Sequence, residues 1–262
     1  MTQPVQLDTA DGVATITLAR PDQMNSLTLE TKSALLHAVR AVADDRDVRA
    51  VVLTGSGRAF SVGQDLREHA DLLSRGPHAA LDTVAEHYNP LTLALATMPK
   101  PVVAAVNGTA AGAGLGLACV CDVRIAAAGS RWTTAFTGIG LSSDCGLSYT
   151  LPRLVGLGRA TTLLLLAEPF TAEQALEMGL AAAVVPPDQV LPAATELARR
   201  LAVGPTTAYA AVKQALRSAA SGTLEQALEE EDRLQTLAGA TADHTAAVRS
   251  FLAKERPIFT GR

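Results

Sequence analysis

Apolar positions along the chain follow two regimes. In the first half, short apolar runs alternate with stretches of helical period; beyond about residue 146 the helical period dominates. The run 13–18 (VATITL) reads as a strand, stopped at Arg20, Pro21 and Asp22. Leu35, Leu36, Val39 and Val42 recur at three- and four-residue spacing and predict a helix over 28–43. Segment 49–54 (RAVVLT) is a short apolar strand ending in Gly55, Ser56 and Gly57. A second such strand, 102–106 (VVAAV), is entered through Pro99, Lys100 and Pro101 and left through Asn107 and Gly108. Residues 79–97 between them carry a helical pattern, and 123–127 is a third apolar strand. Continuous apolar strands separated by helices predict a mainly parallel sheet covered on both faces.

In the second half, Thr171 with Gln174 and Thr223 with Gln226 fit the capping box, in which side chain and backbone satisfy each other's orphan groups at a helix start. Pro205 suits the opening of a helix over 205–219. Two longer helices, about 223–238 and 241–254, carry more charge than the rest. No repeat, Pro-rich linker or low-complexity tract interrupts the chain. The pattern divides it into a core of 1–195 and a helical C-terminal part of 196–262.

Composition adds one oddity. Charged residues make up 18% of the 262 positions and aromatics 3%, against about 25% charged in an ordinary soluble domain. A surface so short of charge points to cover by another subunit. The balance of 22 basic and 26 acidic residues, net −4, argues against a general nucleic-acid binder. No apolar stretch approaches the ~20 residues of a membrane span, and the N-terminus lacks a secretory pattern. Cys119, Cys121 and Cys145 form no spaced framework, so a cytoplasmic, reducing location is expected. His37, His69, His78, His87 and His244 show no zinc spacing; neither a metal nor a permanently bound cofactor is expected.

Two loops carry the chemistry. In 107–117 (NGTAAGAGLGL), Gly112, Gly114 and Gly116 follow a buried strand and open a helix over 113–121, where unpaired N–H groups can meet a ligand. A plain glycine packing turn fits the same residues. A dinucleotide fingerprint does not, because the spacing is wrong and the next strand comes too early. The second loop, 57–66, holds Gly63 and Gln64, and both loops belong beyond the carboxyl ends of parallel strands. Two converging N–H groups there would form an oxyanion hole. Between Lys100 and Phe170 the acids are Asp122, Asp144 and Glu168. Asp122 and Glu168 read as turn residues. Asp144, in 140–147 (GLSSDCGL), reads as a helix N-cap and, compatibly with that, as a carboxylate of raised pKa that takes a proton. No G-x-S-x-G nucleophile occurs; Cys145 reads as a small buried residue, and His87 is a secondary candidate.

At these residues the sequence resembles the enoyl-CoA hydratase/isomerase (crotonase) superfamily. The resemblance runs over 60–66 (FSVGQDL), 99–108 (PKPVVAAVNG), 111–114 (AGAG), 151–156 (LPRLVG) and 172–180 (AEQALEMGL). It implies an α/β fold, a spiral of ββα turns with a C-terminal helical trimerisation region, and an acyl-CoA thioester as substrate, coenzyme A being part of it. A homotrimer or dimer of trimers is implied too. Carried over by position, the backbone N–H groups of Gln64 and Gly112 would form the oxyanion hole. Met24, Ser26, Leu27, Gly63, Gln64, Asp65, Leu66, Gly112 and Phe136 would line the substrate path. The two glutamates that activate water in hydratases fall on Gly116 and Phe136. Asp144 falls where isomerases keep their carboxylate, in a context (141–146, LSSDCG) most similar to the 1,2-epoxyphenylacetyl-CoA isomerase-like subgroup of phenylacetate breakdown. The resemblance thus implies double-bond isomerisation with Asp144 as proton shuttle. Generic hydration, aryl-CoA chemistry with Asp144 as nucleophile, and a non-catalytic binding shell are the alternatives. Residues 67–97 are expected to shape the acyl pocket.

Overall fold

A computed structural model describes residues 3–262. Its main sheet runs in the order β1 (Val5–Ala10), β2 (Val13–Leu18), β3 (Ala50–Gly55), β5 (Val102–Val106), β7 (Val123–Ala127) and β10 (Ala183–Val185). All neighbours are parallel except β1 and β2, an antiparallel hairpin turned at Asp11 and Gly12, both with positive φ. An Asp-Gly pair suits the left-handed turn that matches strand twist. The periodicity leaves β1 unread because only Val5 of its six residues is buried. β3 and β5 are buried along their whole length, as sheet strands covered on both faces must be.

A second sheet of very short strands sits beside the first: β4 (Ala59–Ser61), β6 (Thr109–Ala111), β8 (Arg131–Thr133) and β9 (Phe170–Thr171). Two or three residues are too few to show a period. Yet this sheet decides the site. β4 and β6 pair in parallel, with Ser61 opposite Ala110, so the loops that follow them leave side by side.

The helices in chain order are α1 (Leu29–Asp44), α2 (Leu66–Leu73), α3 (Pro77–Leu81), α4 (Asn89–Thr97), α5 (Ala113–Val120), α6 (Leu147–Val155), α7 (Leu157–Leu166), α8 (Ala172–Glu177), α9 (Val190–Ala202), α10 (Thr206–Ala219), α11 (Leu224–Gly239) and α12 (Ala242–Ala253). The continuous helix expected over 79–97 is instead three pieces: α3, a π-helical turn over Val84–Tyr88, and α4. Pro90 in the first turn of α4 lacks an N–H, and the wider turn before it absorbs the break.

Leu35 and Val39 of α1, Leu91 and Leu95 of α4 and Leu115 and Leu117 of α5 fill the larger core on one face of the main sheet. Val190, Ala194, Ala198 and Ala202 of α9 cover the other. The division expected between residues 195 and 196 therefore falls inside α9, whose buried positions on both sides of it pack on the same sheet. The arm that stands apart begins at α10. Lys213 ties it back, donating to Asp122 at 2.7 Å and to the Lys100 carbonyl at 2.8 Å. Both capping boxes form, at Thr171 and at Thr223.

Candidate active site

The two glycine loops meet. Gly63 has φ +82°, and a Cβ there would lie 2.8 Å from the Ala111 carbonyl oxygen and 3.0 Å from the Ala113 nitrogen. Only glycine permits that approach, so the pairing of β4 with β6 and the lack of a side chain at Gly63 together bring the loops into contact. On the other side, Leu27 donates its N–H to the Gly63 carbonyl at 2.8 Å and accepts from the Asp65 N–H at 3.2 Å. Gln64 is thus held on both flanks, and its own N–H has no acceptor among the described residues.

The second donor differs from the expectation. The Gly112 N–H donates to the Thr133 carbonyl at 3.1 Å, a consequence of the β6–β8 pairing, so it is not free. The free N–H of this turn belongs to Ala113, the first residue of α5, whose first-turn donors lack intrahelical partners. Gly112 serves by its φ of +52°, which turns the chain from β6 into that helix.

Gln64, Gly112, Ala113, Phe136 and Asp144 line one cavity of 130 Å³. Its outer wall comes from α2, α3 and the π turn, through Leu66, His69, Leu81, Thr83, Val84 and Tyr88; these lie in the segment expected to shape the pocket. Asp144 is the one carboxyl group in the lining, and its Oδ1 is buried without a hydrogen-bond partner among the described residues. It is not the cap of α6, since that position is Gly146, at φ +70°. Burial pushes the Asp144 pKa up; the neighbouring Cys145 thiol and the Lys32 charge pull the other way without cancelling it. Cys145 itself is buried, its thiol pushed well above the ordinary range by burial and by Asp144, so it is no thiolate nucleophile.

Gly116 and Phe136 are more than missing carboxylates. A Cβ on Gly116 would sit 2.5 Å from the Cys145 Cβ, closer than any two such carbons pack. Phe136, 8% exposed, forms apolar wall.

A wider cleft of 710 Å³ opens beside the cavity, between Arg20, Ser26, Thr28, Gln64, Asp65, Leu66 and Arg67. Ser26 and Asp65 line it, but their polar atoms are already engaged. Ser26 Oγ donates to Asp65 Oδ2 at 2.8 Å, Arg20 pairs with the same oxygen at 3.2 Å, and Asp65 Oδ1 caps α2. Burial raises the Asp65 pKa, but these hydrogen bonds outweigh it and leave the carboxyl below its ordinary value. Leu27, fully buried, cannot touch a ligand; its contribution is the backbone bridge to Gln64. Met24, half-buried, lines neither the cavity nor the cleft; its carbonyl accepts from the Val62 N–H.

Lys32, Thr83 and Tyr88 escaped the sequence reading. Lys32 Nζ donates to Gln64 Oε1 at 3.1 Å and to Thr83 Oγ1, and Tyr88 donates to the same Gln64 oxygen at 2.7 Å. The signal existed: Lys32 lies three residues before Leu35 and seven before Val39, on the apolar stripe of α1. His87 only meets Thr83, with Nδ1 at 3.2 Å. Among the described residues no helix is long and apolar enough to cross a membrane, and no cluster suits a metal ion.

The enoyl-CoA hydratase/isomerase family model matches residues 8–262. The chain is 43% identical over 252 residues to 1,2-epoxyphenylacetyl-CoA isomerase of Escherichia coli K12, covering 96% of each. It is 44% identical over 262 residues to a Rhodobacter capsulatus protein named "Probable enoyl-CoA hydratase", covering 98% of each. A solved Mycobacterium abscessus structure with the hydratase/isomerase description superposes with a TM-score of 0.94 at 47% identity, over 98% of this chain and 100% of that one. With the paired loops, the lone carboxyl and a match along nearly its whole length, the chain belongs to the enoyl-CoA hydratase/isomerase family.

Proposed function

We propose that, within this family, the protein moves a double bond along an enoyl-CoA thioester, with Asp144 as the proton shuttle. The observation that carries the reading is Asp144 as the one carboxyl in the cavity lining, while the positions where hydratases keep their two glutamates, carried over by resemblance, hold Gly116 and Phe136. The thioester carbonyl oxygen rests between the N–H groups of Gln64 and Ala113. Asp144 removes a proton from the carbon next to the carbonyl, and the electron pair delocalises onto the thioester oxygen as an enolate. The same carboxyl then returns the proton two carbons further along, and the double bond shifts. Donors preorganised for that oxygen are worth about 3 kcal/mol each in acyl chemistry. The raised pKa of Asp144 narrows its gap to the carbon acid. Water activation by two carboxylates has no place here, because a side chain at Gly116 would overlap Cys145.

The coenzyme A portion occupies the cleft past Arg20 and Arg67, and the acyl group enters the 130 Å³ cavity. A cavity of about 150 Å³ accepts benzene, so the acyl group is compact. The apolar outer faces of α10–α12 are covered by like subunits, as in a trimer. Purified protein offered a 3-enoyl-CoA should release the 2-enoyl isomer, and Asp144→Asn should release almost none. Strong hydration of crotonyl-CoA that survives Asp144→Asn overturns the reading.

A further inference from the structure

Lys32 is among the largest side chains sealed from solvent, 1% exposed, and its ammonium group has no salt-bridge partner among the described residues. Two neutral oxygens receive it, Gln64 Oε1 and Thr83 Oγ1, and the Tyr88 ring lies 4.9 Å from Nζ. A buried ammonium held by neutral groups alone is expensive; an apolar chain of the same length would pack there at far lower cost. Its placement is specific. The oxygen it grips belongs to Gln64, whose N–H has no acceptor among the described residues, and Tyr88 donates to the same oxygen. Gln64, Thr83 and Tyr88, the three side chains around its ammonium group, line the same cavity as Asp144, which brings the charge of Lys32 to bear on that carboxyl.

We propose that Lys32 is a positioning residue of this site: its buried cation fixes Gln64 from behind and balances the negative charge that Asp144 brings into the cavity. This rests on the proton-shuttle reading. When the enolate forms, the proton leaves carbon for Asp144, so total charge in the cavity is conserved while it moves from carboxylate to thioester oxygen. A fixed cation behind Gln64 serves both ends of that transfer, and no second acid is required. The groups facing Lys32 are Asp65 and Glu68 at the start of α2, Tyr88 and, through Thr83, His87 of the π turn, and Asp144 and Cys145. His69 shares the cavity with Asp144. Burial lowers the Lys32 pKa, and the pull of Glu68, Asp144, Cys145 and Asp65 opposes that loss only in part.

The test is carboxyl 13C NMR of aspartate-labelled protein, with the Asp144 resonance identified by its loss in Asp144→Asn. Lys32→Met should raise the Asp144 midpoint by roughly half a unit or more, since the cation that favours the carboxylate is gone. Turnover should fall about tenfold or more with KM changed by less than about threefold, and Lys32→Arg should restore the midpoint. Lys32→Gln replaces Lys32→Met if the latter does not fold. If neither folds, the wild-type spectra decide: the Asp144 resonance must show a second inflection as Lys32 deprotonates below the ordinary lysine range. An unmoved Asp144 midpoint with only a loss of thermal stability overturns the proposal and makes Lys32 a structural cross-link; so does a missing second inflection. The carboxyl titration stands without turnover, so failure of isomerisation in the wild type counts against the shuttle reading alone.

Discussion

α5 and the C-terminal arm treat apolar residues in opposite ways. Seven of the eight residues of α5 are buried, glycine and alanine included, and its first N–H faces the cavity. In α10, α11 and α12 the buried residues are Ala211, Leu234 and Asp243, while Leu216, Leu224, Phe251 and Leu252 are each at least 70% exposed. The small residues of α5 let backbone meet backbone, so position there is controlled to fractions of an ångström. The arm keeps its large apolar groups on the outside, the surface on which the proposed contact between like subunits rests. One region is finished within the chain; the other leaves its apolar groups exposed.

The sharpest way to probe the finished region is Asp144→Asn. It should lower isomerase turnover by about 10²–10⁴-fold, the usual worth of a placed acid–base group, as read by the absorbance of the conjugated product. Gly116→Glu asks whether the hydratase carboxylate can be put back. With 2.5 Å to the Cys145 Cβ, overpacking should destabilise the fold by about 1–3 kcal/mol. Urea unfolding would show it, and crotonyl-CoA hydration should not appear. A soluble, equally stable Gly116→Glu that hydrates would dissolve the contrast between tight and open regions.

A smaller effect runs the other way. The folded-state pKa of Asp144 lies above its unfolded value of 3.8, so the fold disfavours the carboxylate. Below the unfolded value both states are protonated and the penalty is absent; it grows as pH rises from the unfolded toward the folded value and is fully present above the folded value. Asp144→Asn should therefore melt higher than wild type at pH 8 and alike near pH 3, in paired thermal scans. In the arm, Leu252→Asp should change monomer stability by less than about 0.5 kcal/mol, yet shift the sedimenting species to lower mass. An unchanged mass would mean that the exposed leucines are not an interface.

Legibility followed element length. The helix 28–43, the strands 102–106 and 123–127 and both capping boxes were readable because their signals are local and repeat. β1 was not, with one buried residue, nor was the small sheet that brings Gly63 against Ala113. That sheet also explains the shift of the free donor from Gly112 to Ala113: β8 takes the Gly112 N–H through Thr133, a partner more than twenty residues away. Asp144 was singled out by elimination, whereas Lys32 went unread although its spacing places it on the buried stripe of α1.

By itself the sequence determined the parallel sheet and the two glycine loops and singled out Asp144, because these rest on residue type and local spacing; the family came from resemblance along the chain. Only the tertiary structure decided which N–H groups lack an acceptor among the described residues, that Gly116 has no room for a side chain, and that a buried lysine stands behind Gln64. Each depends on what a distant strand or helix places within a few ångströms, and no local pattern carries that distance.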